Sequence, residues 1–326
     1  MEDDPGDRSG ETCIGALDIG GTKILAGIID PSGKIVARRS IGTLAERGAE
    51  DVVARCVSLM RELAREAQVA VEMLAGIGCS VPGPLDPEGG VVLFSPNLGW
   101  RNVPLAQWLR HQCGVPVEIE DDARCAASGE ARRGAARGAE MAVYITISTG
   151  IGGGLIINGR VYRGAHGFAG EIGHMTLEAN GPPCSCGNNG CFESLASGSA
   201  IAARARQAVL HGDETTLASF HDGPLTAEQV IQAAKAGDAV ATRIVEAAGV
   251  YVGIGLAAVA TAFDPQIIVL GGGVVRQEGI LLRRAYETFR ERALAPLGSL
   301  VPIVPAALGD ESGLWGAVAL IEDRIR

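Results

Sequence analysis

One pattern occurs twice along this chain of 326 residues: a meander of short apolar strands with a glycine turn, followed by alternating helices and strands. In the first copy strands are predicted at 13–18, 23–29 and 34–39, and in the second at 141–148, 153–157 and 160–162. Strands joined by tight turns pair antiparallel, whereas strands separated by helices pair parallel. The repeat therefore predicts two similar α/β lobes with a cleft between them and a hinge near residues 120–122.

Apolar periodicity and turn signals predict the remaining elements. Helices are expected at 50–67, 105–113, 122–133, 225–236, 238–263, 279–295 and 312–326, and further strands at 74–80, 117–120 and 266–270. A turn at 149–152 is expected to join the first two strands of the second meander.

The composition excludes several classes of protein. The chain has 28 basic and 38 acidic side chains, a net charge of −10, which argues against nonspecific binding of nucleic acid. The polar, acidic start lacks the apolar stretch of a secretory signal, and residues 1–12 are expected to be a disordered tail. The most apolar window, 247–263, is shorter than the ~20 residues of a membrane span. We therefore expect a cytoplasmic protein without membrane or nucleic-acid partners.

The first glycine turn, with Gly20 and Gly21, follows Asp18 and precedes Thr22 and Lys23. Glycines let backbone N–H groups approach an anion closely, and a carboxylate at a strand end can hold a metal-bound water or orient a phosphate. The turn matches neither common nucleotide-binding motif, G-x-G-x-x-G or G-x-x-x-x-G-K-[ST], and an ordinary hairpin turn is the alternative.

A second glycine turn, with Thr149 and Gly150, occupies the matching place in the second meander. A third glycine run, Gly271-Gly272-Gly273, follows a predicted buried strand. Two turns at matching positions of two lobes would hold a polyphosphate from both sides. Together the three runs favour a nucleotide-binding cleft.

His174 is followed by three cysteines, Cys184, Cys186 and Cys191, and the four residues lie within eighteen positions. Three thiolates and one imidazole make a closed tetrahedral zinc site, which serves structure because no position is left for a water. Such an ion would hold a loop that has no core of its own. The alternatives are a Cys-x-Cys redox pair or scattered buried thiols.

Acidic residues occur beside these motifs. Glu120, Asp121 and Asp122 end a predicted strand and begin a predicted helix, where capping of the helix is the alternative to a functional role. Glu171 and Glu193 flank the predicted zinc ligands, and solvated loop charge is their alternative. Carboxylates fixed in a cleft would suit a polyhydroxylated ligand, because they accept hydrogen bonds from several hydroxyl groups.

These motifs together resemble the ROK family of sugar kinases and repressors. The resemblance runs from about residue 14 to the terminal helix, and its most specific part is the zinc-loop pattern Glu171-x-Gly173-His174 and Cys184-x-Cys186-Gly187-x-x-Gly190-Cys191-x-Glu193. The runs 18–23, 95–100, 120–123 and 148–154 also carry it. Within the family the chain looks most like the ATP-dependent glucokinases.

The resemblance implies an actin-like ATPase (ribonuclease H-like) fold of class α/β. Its lobes would comprise residues 13–121 with 312–326, and residues 122–311 with a zinc loop at 174–193. It also implies ATP and sugar as ligands, a catalytic Mg²⁺, a structural Zn²⁺ and a homodimer or homotetramer.

The resemblance further implies a role for each matching residue. Asp122 would be the general base for the 6-hydroxyl of the sugar. The sugar hydroxyls would be bound by Asn97, Asp121, Glu171, His174 and Glu193, and zinc by His174, Cys184, Cys186 and Cys191. The nucleotide would be bound by Asp18, Gly20, Gly21, Thr22, Lys23, Thr149, Gly150, Gly271, Gly272 and Gly273.

One departure concerns Asp121, where the family commonly has asparagine. An ionised carboxylate donates no hydrogen bond, so the departure bears on sugar selectivity. The expected activity is phosphorylation of glucose by ATP. The alternatives are a kinase for N-acetylmannosamine or another hexose or N-acetylhexosamine, polyphosphate as donor, and a sugar-sensing regulator. A regulator would carry a DNA-binding helix before the first glycine turn, where only seventeen acidic-rich residues precede Asp18.

Overall fold

The computed structural model describes residues 12–220, 223–277 and 279–325. The tail predicted at residues 1–12 lies outside them except for its last residue. The strands are β1 (Ile14–Ile19), β2 (Lys23–Ile29), β3 (Ile35–Gly42), β4 (Ile77–Val81), β5 (Leu85–Asp86), β6 (Val91–Ser95), β7 (Trp100–Val103), β8 (Val117–Asp121), β9 (Met141–Ile147), β10 (Ile151–Ile157), β11 (Arg160–Tyr162), β12 (Ile267–Gly271) and β13 (Ile303–Pro305). The helices are α1 (Ala49–Glu66), α2 (Leu105–Cys113), α3 (Asp122–Arg133), α4 (Phe192–Ala196), α5 (Gly198–Leu210), α6 (Ala227–Lys235), α7 (Ala239–Phe263), α8 (Ile280–Arg292), α9 (Leu297–Leu300) and α10 (Ser312–Arg324).

The described residues form two compact units. The first holds residues up to 137, the segment 163–169 and the residues from 310 onward. The second holds residues 138–162 and 170–309.

Each unit is built on a five-stranded sheet with the same topology. In the first unit the order is β3-β2-β1-β4-β8, and in the second it is β11-β10-β9-β12-β13. In both sheets the first three strands in sequence pair antiparallel and the last two join in parallel. The repeated meander in the sequence therefore corresponds to a repeated sheet.

The first sheet is buried on both faces, which explains its continuous apolar strands. Along β1, Ile14 and Ala16 face a core shared with α10, whereas Leu17 and Ile19 face a second core shared with α1 and α2. Successive strand residues point to opposite faces, so one strand supplies both cores. This leaves the ends of the strands as the place for polar groups.

Helix α10 lies very close to the sheet and to α3. A Cβ atom on Gly78 of β4 would lie 1.8 Å from the Ala317 carbonyl oxygen, and one on Gly316 would lie 1.8 Å from that of Cys125. The buried Glu130 of α3 accepts a 2.9 Å hydrogen bond from Ser312 Oγ. Helix α3, assigned to the second lobe from the sequence, thus packs within the first unit.

Several short elements were missed by the sequence analysis. Strands β5–β7 form a separate three-stranded sheet, and α4, α5 and β13 belong to the second unit. Strand β10 begins at Ile151, so the turn expected at 149–152 is tighter and occupies residues 148–150. Most of these elements have five residues or fewer, which is too short for a clear apolar periodicity.

Helix α7 corrects the expectation drawn from its apolar window. It extends over 25 residues and contains an 18-residue window with a mean hydropathy of 1.8, long and apolar enough to cross a membrane, and 61% of that window is buried inside the protein. It packs against α6 and α8. The apolar character therefore fits a core helix.

We expect the Gly316→Ala variant to lower the free energy of unfolding by about 2 kcal/mol or more, because the added methyl group would meet backbone atoms that cannot rotate away. Urea denaturation measures this loss. Gly42→Ala is the control, since its nearest neighbouring atom would be 3.9 Å away, and its stability should change by less than about 0.5 kcal/mol. Equal stability of the two variants would contradict the close packing.

Candidate functional site

The first glycine turn joins β1 to β2 after the paired residues Ile19 and Ile24. The Gly20 N–H donates to the Lys23 carbonyl at 2.9 Å, so that group closes the turn. Thr43 fastens the turn from outside, with Oγ1 donating to the Gly20 carbonyl at 2.6 Å and N–H donating to the Thr22 carbonyl at 3.0 Å. The turn is thus rigid, with the side chains of Thr22 and Lys23 exposed.

Gly21 brings the turn against the loop that carries Asn97. A Cβ atom on Gly21 would lie 2.9 Å from the Asn97 carbonyl oxygen, so only glycine fits there without a shift of the backbone. Asn97 lies between β6 and β7 and is exposed. The structure therefore places the first glycine turn and the predicted sugar-binding Asn97 side by side.

Asp18, in β1 beside this turn, is surrounded by polar groups of the first unit. Ser80 Oγ donates to Asp18 Oδ1 at 2.6 Å. Burial raises the pKa of Asp18 to about 6; the Ser80 hydrogen bond lowers it, and the charges of Asp122 and Asp310 raise it further. Asp310, which the sequence analysis did not consider, thus belongs to the surroundings of Asp18. A cation bound there would relieve this repulsion.

The three acids at residues 120–122 have three different environments. Glu120 is fully buried and paired with Arg124 and Arg163. Asp121 caps α3, since its Oδ1 accepts from the N–H groups of Ala123 at 3.1 Å and Arg124 at 3.2 Å. Asp122 is the exposed first residue of α3. Capping, the alternative considered for the run, thus applies to Asp121.

The second glycine turn is held by Glu193. The Ile151 N–H donates to Glu193 Oε2 at 2.9 Å, and a Cβ atom on Gly150 would lie 2.4 Å from the same oxygen. The N–H groups of Gly198 and Ser199, at the start of α5, donate to the carbonyls of Ser148 and Thr149 at 2.8 and 3.1 Å. The turn thus depends on a carboxylate that follows the cysteine cluster in sequence, and the Thr149 side chain is exposed.

The third glycine run lies next to the second turn. Gly272 has φ of +96°, and a Cβ atom on it would lie 2.3 Å from the Ile147 carbonyl oxygen. A Cβ on Gly273 would have Ser148 Oγ as its nearest neighbour at 3.8 Å, whereas Gly271 packs against the Tyr144 hydroxyl. The structure therefore brings together the two predicted nucleotide-binding segments of the second unit.

His174 and the three cysteines form one cluster in the second unit. One ligand atom from each of His174, Cys184, Cys186 and Cys191 lies within 4.8 Å of the others. The His174 Nδ1 to Cys184 Sγ and the Cys186 Sγ to Cys191 Sγ distances are both 3.7 Å. These separations correspond to the edges of ~3.8 Å expected for a tetrahedron with metal–sulfur distances of ~2.3 Å.

The loop that carries this cluster has further anchors. Asn188 Nδ2 donates to Thr176 Oγ1 at 2.8 Å and lies 3.6 Å from Cys191 Sγ. The Tyr251 hydroxyl of α7 donates to Glu178 Oε2 at 2.6 Å. An N–H group that donates to a cysteine sulfur stabilises the thiolate, and the thiolate is the form that binds a metal ion. The position of the Asn188 amide therefore suits a metal ligand at Cys191.

The structure thus gathers the predicted residues in two sets. Within the first unit it places Asp18, Gly20, Gly21, Thr22, Lys23, Asn97, Asp121 and Asp122 around the ends of β1, β6 and β8. Within the second it places Thr149, Gly150, Gly271–Gly273, Glu171, His174 and Glu193 around β9, β10, β12 and α4. The sequence analysis did not single out Arg163. Its one sequence signal is a basic residue at the start of a segment with glycines at 164, 167 and 170.

Comparison with known proteins gives these two sets a context. A glucokinase from Halalkalibacterium halodurans is 35% identical over 311 residues, which cover 94% of each chain. A xylose repressor from Bacillus subtilis is 35% identical over 250 residues, which cover 77% of this chain and 62% of the repressor. Kinases and regulators therefore both occur among the relatives, and the kinase matches over almost its whole length.

Solved structures agree with the sequence relatives. A ROK hexokinase from Thermus thermophilus has a TM-score of 0.82 and 38% identity, covering 95% of this chain and 99% of its own. A ROK glucokinase from Streptomyces griseus, solved with glucose and AMPPNP, has a TM-score of 0.80 and 32% identity with the same coverage. The chain has their actin-like ATPase fold with two lobes. The ROK family model matches residues 14–324, and the chain belongs to the ROK family.

Proposed function

We propose that this chain is an ATP-dependent hexose kinase that transfers the γ-phosphoryl group of ATP to the 6-hydroxyl of glucose. The observation that carries the proposal is the exposed carboxylate of Asp122 at the start of α3 in a chain related to glucokinases over 94% of its length. The residue is exposed, whereas Glu120 is fully buried and Asp121 caps α3. A hexose hydroxyl can therefore reach it.

Asp122 acts as the general base in this proposal. It accepts the proton of the 6-hydroxyl as the new O–P bond forms and the bond to ADP breaks. Its carboxylate lies at the start of α3, where the N-terminal end of the helix is. No phosphorylated enzyme is required, because the hydroxyl attacks the phosphorus directly.

The glycine turns bind the phosphates of ATP. Thr22 and Lys23 of the first turn and Thr149 of the second present exposed polar side chains on rigid backbone, and the run 271–273 contributes to the adenosine site. Bound Mg²⁺ would neutralise charge on the β- and γ-phosphates. Asp18 would contact that ion through water, and this contact would oppose the repulsion it experiences from Asp122 and Asp310.

Zinc would be the ion of the His174 cluster. Three sulfurs and one nitrogen are a donor set typical of a structural zinc ion, and the separations between them fit a tetrahedron. With Nδ1 of His174 facing the cluster, Nε2 would carry the ring proton. That N–H would donate a hydrogen bond to a sugar hydroxyl. The ion thereby fixes the orientation of a sugar-binding group.

The remaining sugar contacts come from Asn97, Asp121, Glu171 and Glu193. Glu193 has two tasks, since Oε2 holds the Ile151 amide and the other oxygen accepts from a hydroxyl. Asp121 accepts from the α3 backbone through Oδ1, so its contact with the sugar would come from a carboxylate of fixed orientation. Because Asp121 donates no hydrogen bond, N-acetylmannosamine and other hexoses or N-acetylhexosamines are alternative acceptors. We propose a cytoplasmic homodimer or homotetramer.

A panel of acceptors and donors tests the proposal. The purified chain is incubated with Mg²⁺, each of several sugars, and either ATP or polyphosphate, and the product is identified by ³¹P NMR. We expect glucose 6-phosphate from glucose and ATP. Higher kcat/KM for an N-acetylhexosamine would favour the alternative substrate, and no transfer to any sugar would contradict the proposal and favour a regulator.

We expect the Asp122→Asn variant to reduce kcat by about 10²- to 10⁴-fold, because the amide cannot accept the proton. Glucose affinity, measured by isothermal titration calorimetry, should remain within about threefold. Asp323→Asn, which changes an exposed acid paired with Arg132, is the control and should keep full activity. Full activity of Asp122→Asn would refute the assignment.

The raised pKa of Asp18 predicts a pH-dependent effect on stability. The folded state holds this proton more tightly than the unfolded chain, so the contribution to stability is present at low pH and is lost as the pH rises through about 6. In the absence of Mg²⁺, the Asp18→Asn variant should therefore have a free energy of unfolding roughly 1–3 kcal/mol higher than wild type at pH 7.5. This difference should become smaller below about pH 5. Urea denaturation across this range measures it. A gain independent of pH would argue against the account.

We expect the Cys184→Ser variant to lose its stoichiometric zinc, measured by elemental analysis, and at least tenfold in glucose affinity. The KM for ATP should rise as well, because Glu193 would release the second glycine turn. Cys13→Ser, which changes a partly buried cysteine outside the cluster, should keep its zinc and affinity. Unchanged zinc content in Cys184→Ser would exclude the proposed ligand set.

A further inference from the structure

The segment 163–169 belongs to the first unit, although the stretches of chain before and after it belong to the second. Its contacts place it with Asp121 and Asp122, and Gly170 and Glu171 follow it in sequence. Gly164 and Gly167 within it adopt φ values of +75° and +80°, and most of its residues are exposed or half-buried. A segment of this kind holds one conformation only where specific contacts fix it.

Two contacts fix this segment, one from Glu120 at the end of β8 and one from Arg124 in the first turn of α3. Arg163 Nε donates to Glu120 Oε2 at 2.5 Å, and Arg124 Nη1 donates to the Gly167 carbonyl at 3.0 Å. Glu120 Oε1 in turn accepts from Arg124 Nε at 2.8 Å, so one carboxylate pairs with both arginines. Glu120 is 0% exposed, and a charge buried to that extent requires such partners.

Glu120 immediately precedes Asp121 and Asp122, the residues of the first unit that are proposed to act on the sugar. Its side chain also accepts from the Asp121 N–H at 3.0 Å, which ties it to the backbone that leads to Asp122. The same carboxylate therefore fixes the start of α3 and the start of the segment. The Ala169 N–H donates to the Arg163 carbonyl at 3.0 Å and closes the segment into a loop.

We propose that Glu120 is a positioning residue for the sugar acceptor, holding segment 163–169 through Arg163 and Arg124 so that the segment forms one wall of the acceptor site. The inference rests on the proposed kinase function. The segment itself takes no part in the proton transfer at Asp122. Loss of the contacts that hold the segment should therefore weaken sugar binding, whereas ATP binding and phosphoryl transfer should be unchanged.

Arg163→Ala is the most direct test, because the Arg163 side chain is 45% exposed and its removal leaves Glu120 paired with Arg124. We expect the KM for glucose to rise about tenfold, with kcat changed less than threefold and the KM for ATP less than twofold. Arg163→Lys, which keeps the charge, should recover part of the glucose affinity. Arg160→Ala removes an exposed arginine three residues earlier and should match wild type.

Hydrogen exchange supplies a second readout that needs no sugar. In Arg163→Ala, amides of the peptide covering 164–170 should exchange at least about fivefold faster than in wild type or Arg160→Ala. Bound glucose should slow their exchange in wild type. A glucose KM within twofold of wild type, or unchanged exchange in Arg163→Ala, would overturn the proposal. If wild type phosphorylates no sugar, the proposed function fails, whereas exchange without sugar still tests the attachment of the segment.

Discussion

The hydrogen bond from the Ile151 amide to Glu193 Oε2 is the contact on which the candidate site of the second unit depends. A glycine turn has no side chain to hold it, so its shape must be fixed from outside. Glu193 does this from the first turn of α4, two residues after the metal-ligand candidate Cys191. The order of the cysteine loop is therefore transmitted to a segment proposed to bind phosphates.

In the first unit, hydrogen bonds and close packing hold the glycine turn. The turn is fastened by Thr43 and pressed against the Asn97 loop, and the sheet beneath it is buried on both faces. The buried Glu120 pairs with Arg124 of α3 and with Arg163, and it accepts from the Asp121 N–H. The exposed Asp122 thus extends from rigid backbone, which a general base needs because a small displacement of its carboxylate slows proton transfer strongly.

Much of this arrangement was predictable because the sequence repeats its own pattern. Helices 105–113 and 122–133 were predicted with the bounds observed for α2 and α3, and the four predicted zinc ligands form one cluster. The short strands β5–β7 and the helices α4 and α5 were missed, because each depends on tertiary contacts more than on periodicity. The sequence did not predict the separate environments of Glu120, Asp121 and Asp122, because these differ only in burial and in hydrogen-bond partners.

The central proposal is that Asp122, at the start of α3, receives the 6-hydroxyl of a hexose and that the cysteine–histidine cluster binds zinc. A crystal structure of the wild-type protein with glucose, with anomalous data collected on both sides of the zinc absorption edge, tests it most directly. The account predicts an anomalous peak among His174, Cys184, Cys186 and Cys191, with the glucose 6-hydroxyl in hydrogen-bonding contact with Asp122. A structure with reduced cysteines and no zinc peak, or with glucose bound away from Asp122, would contradict it.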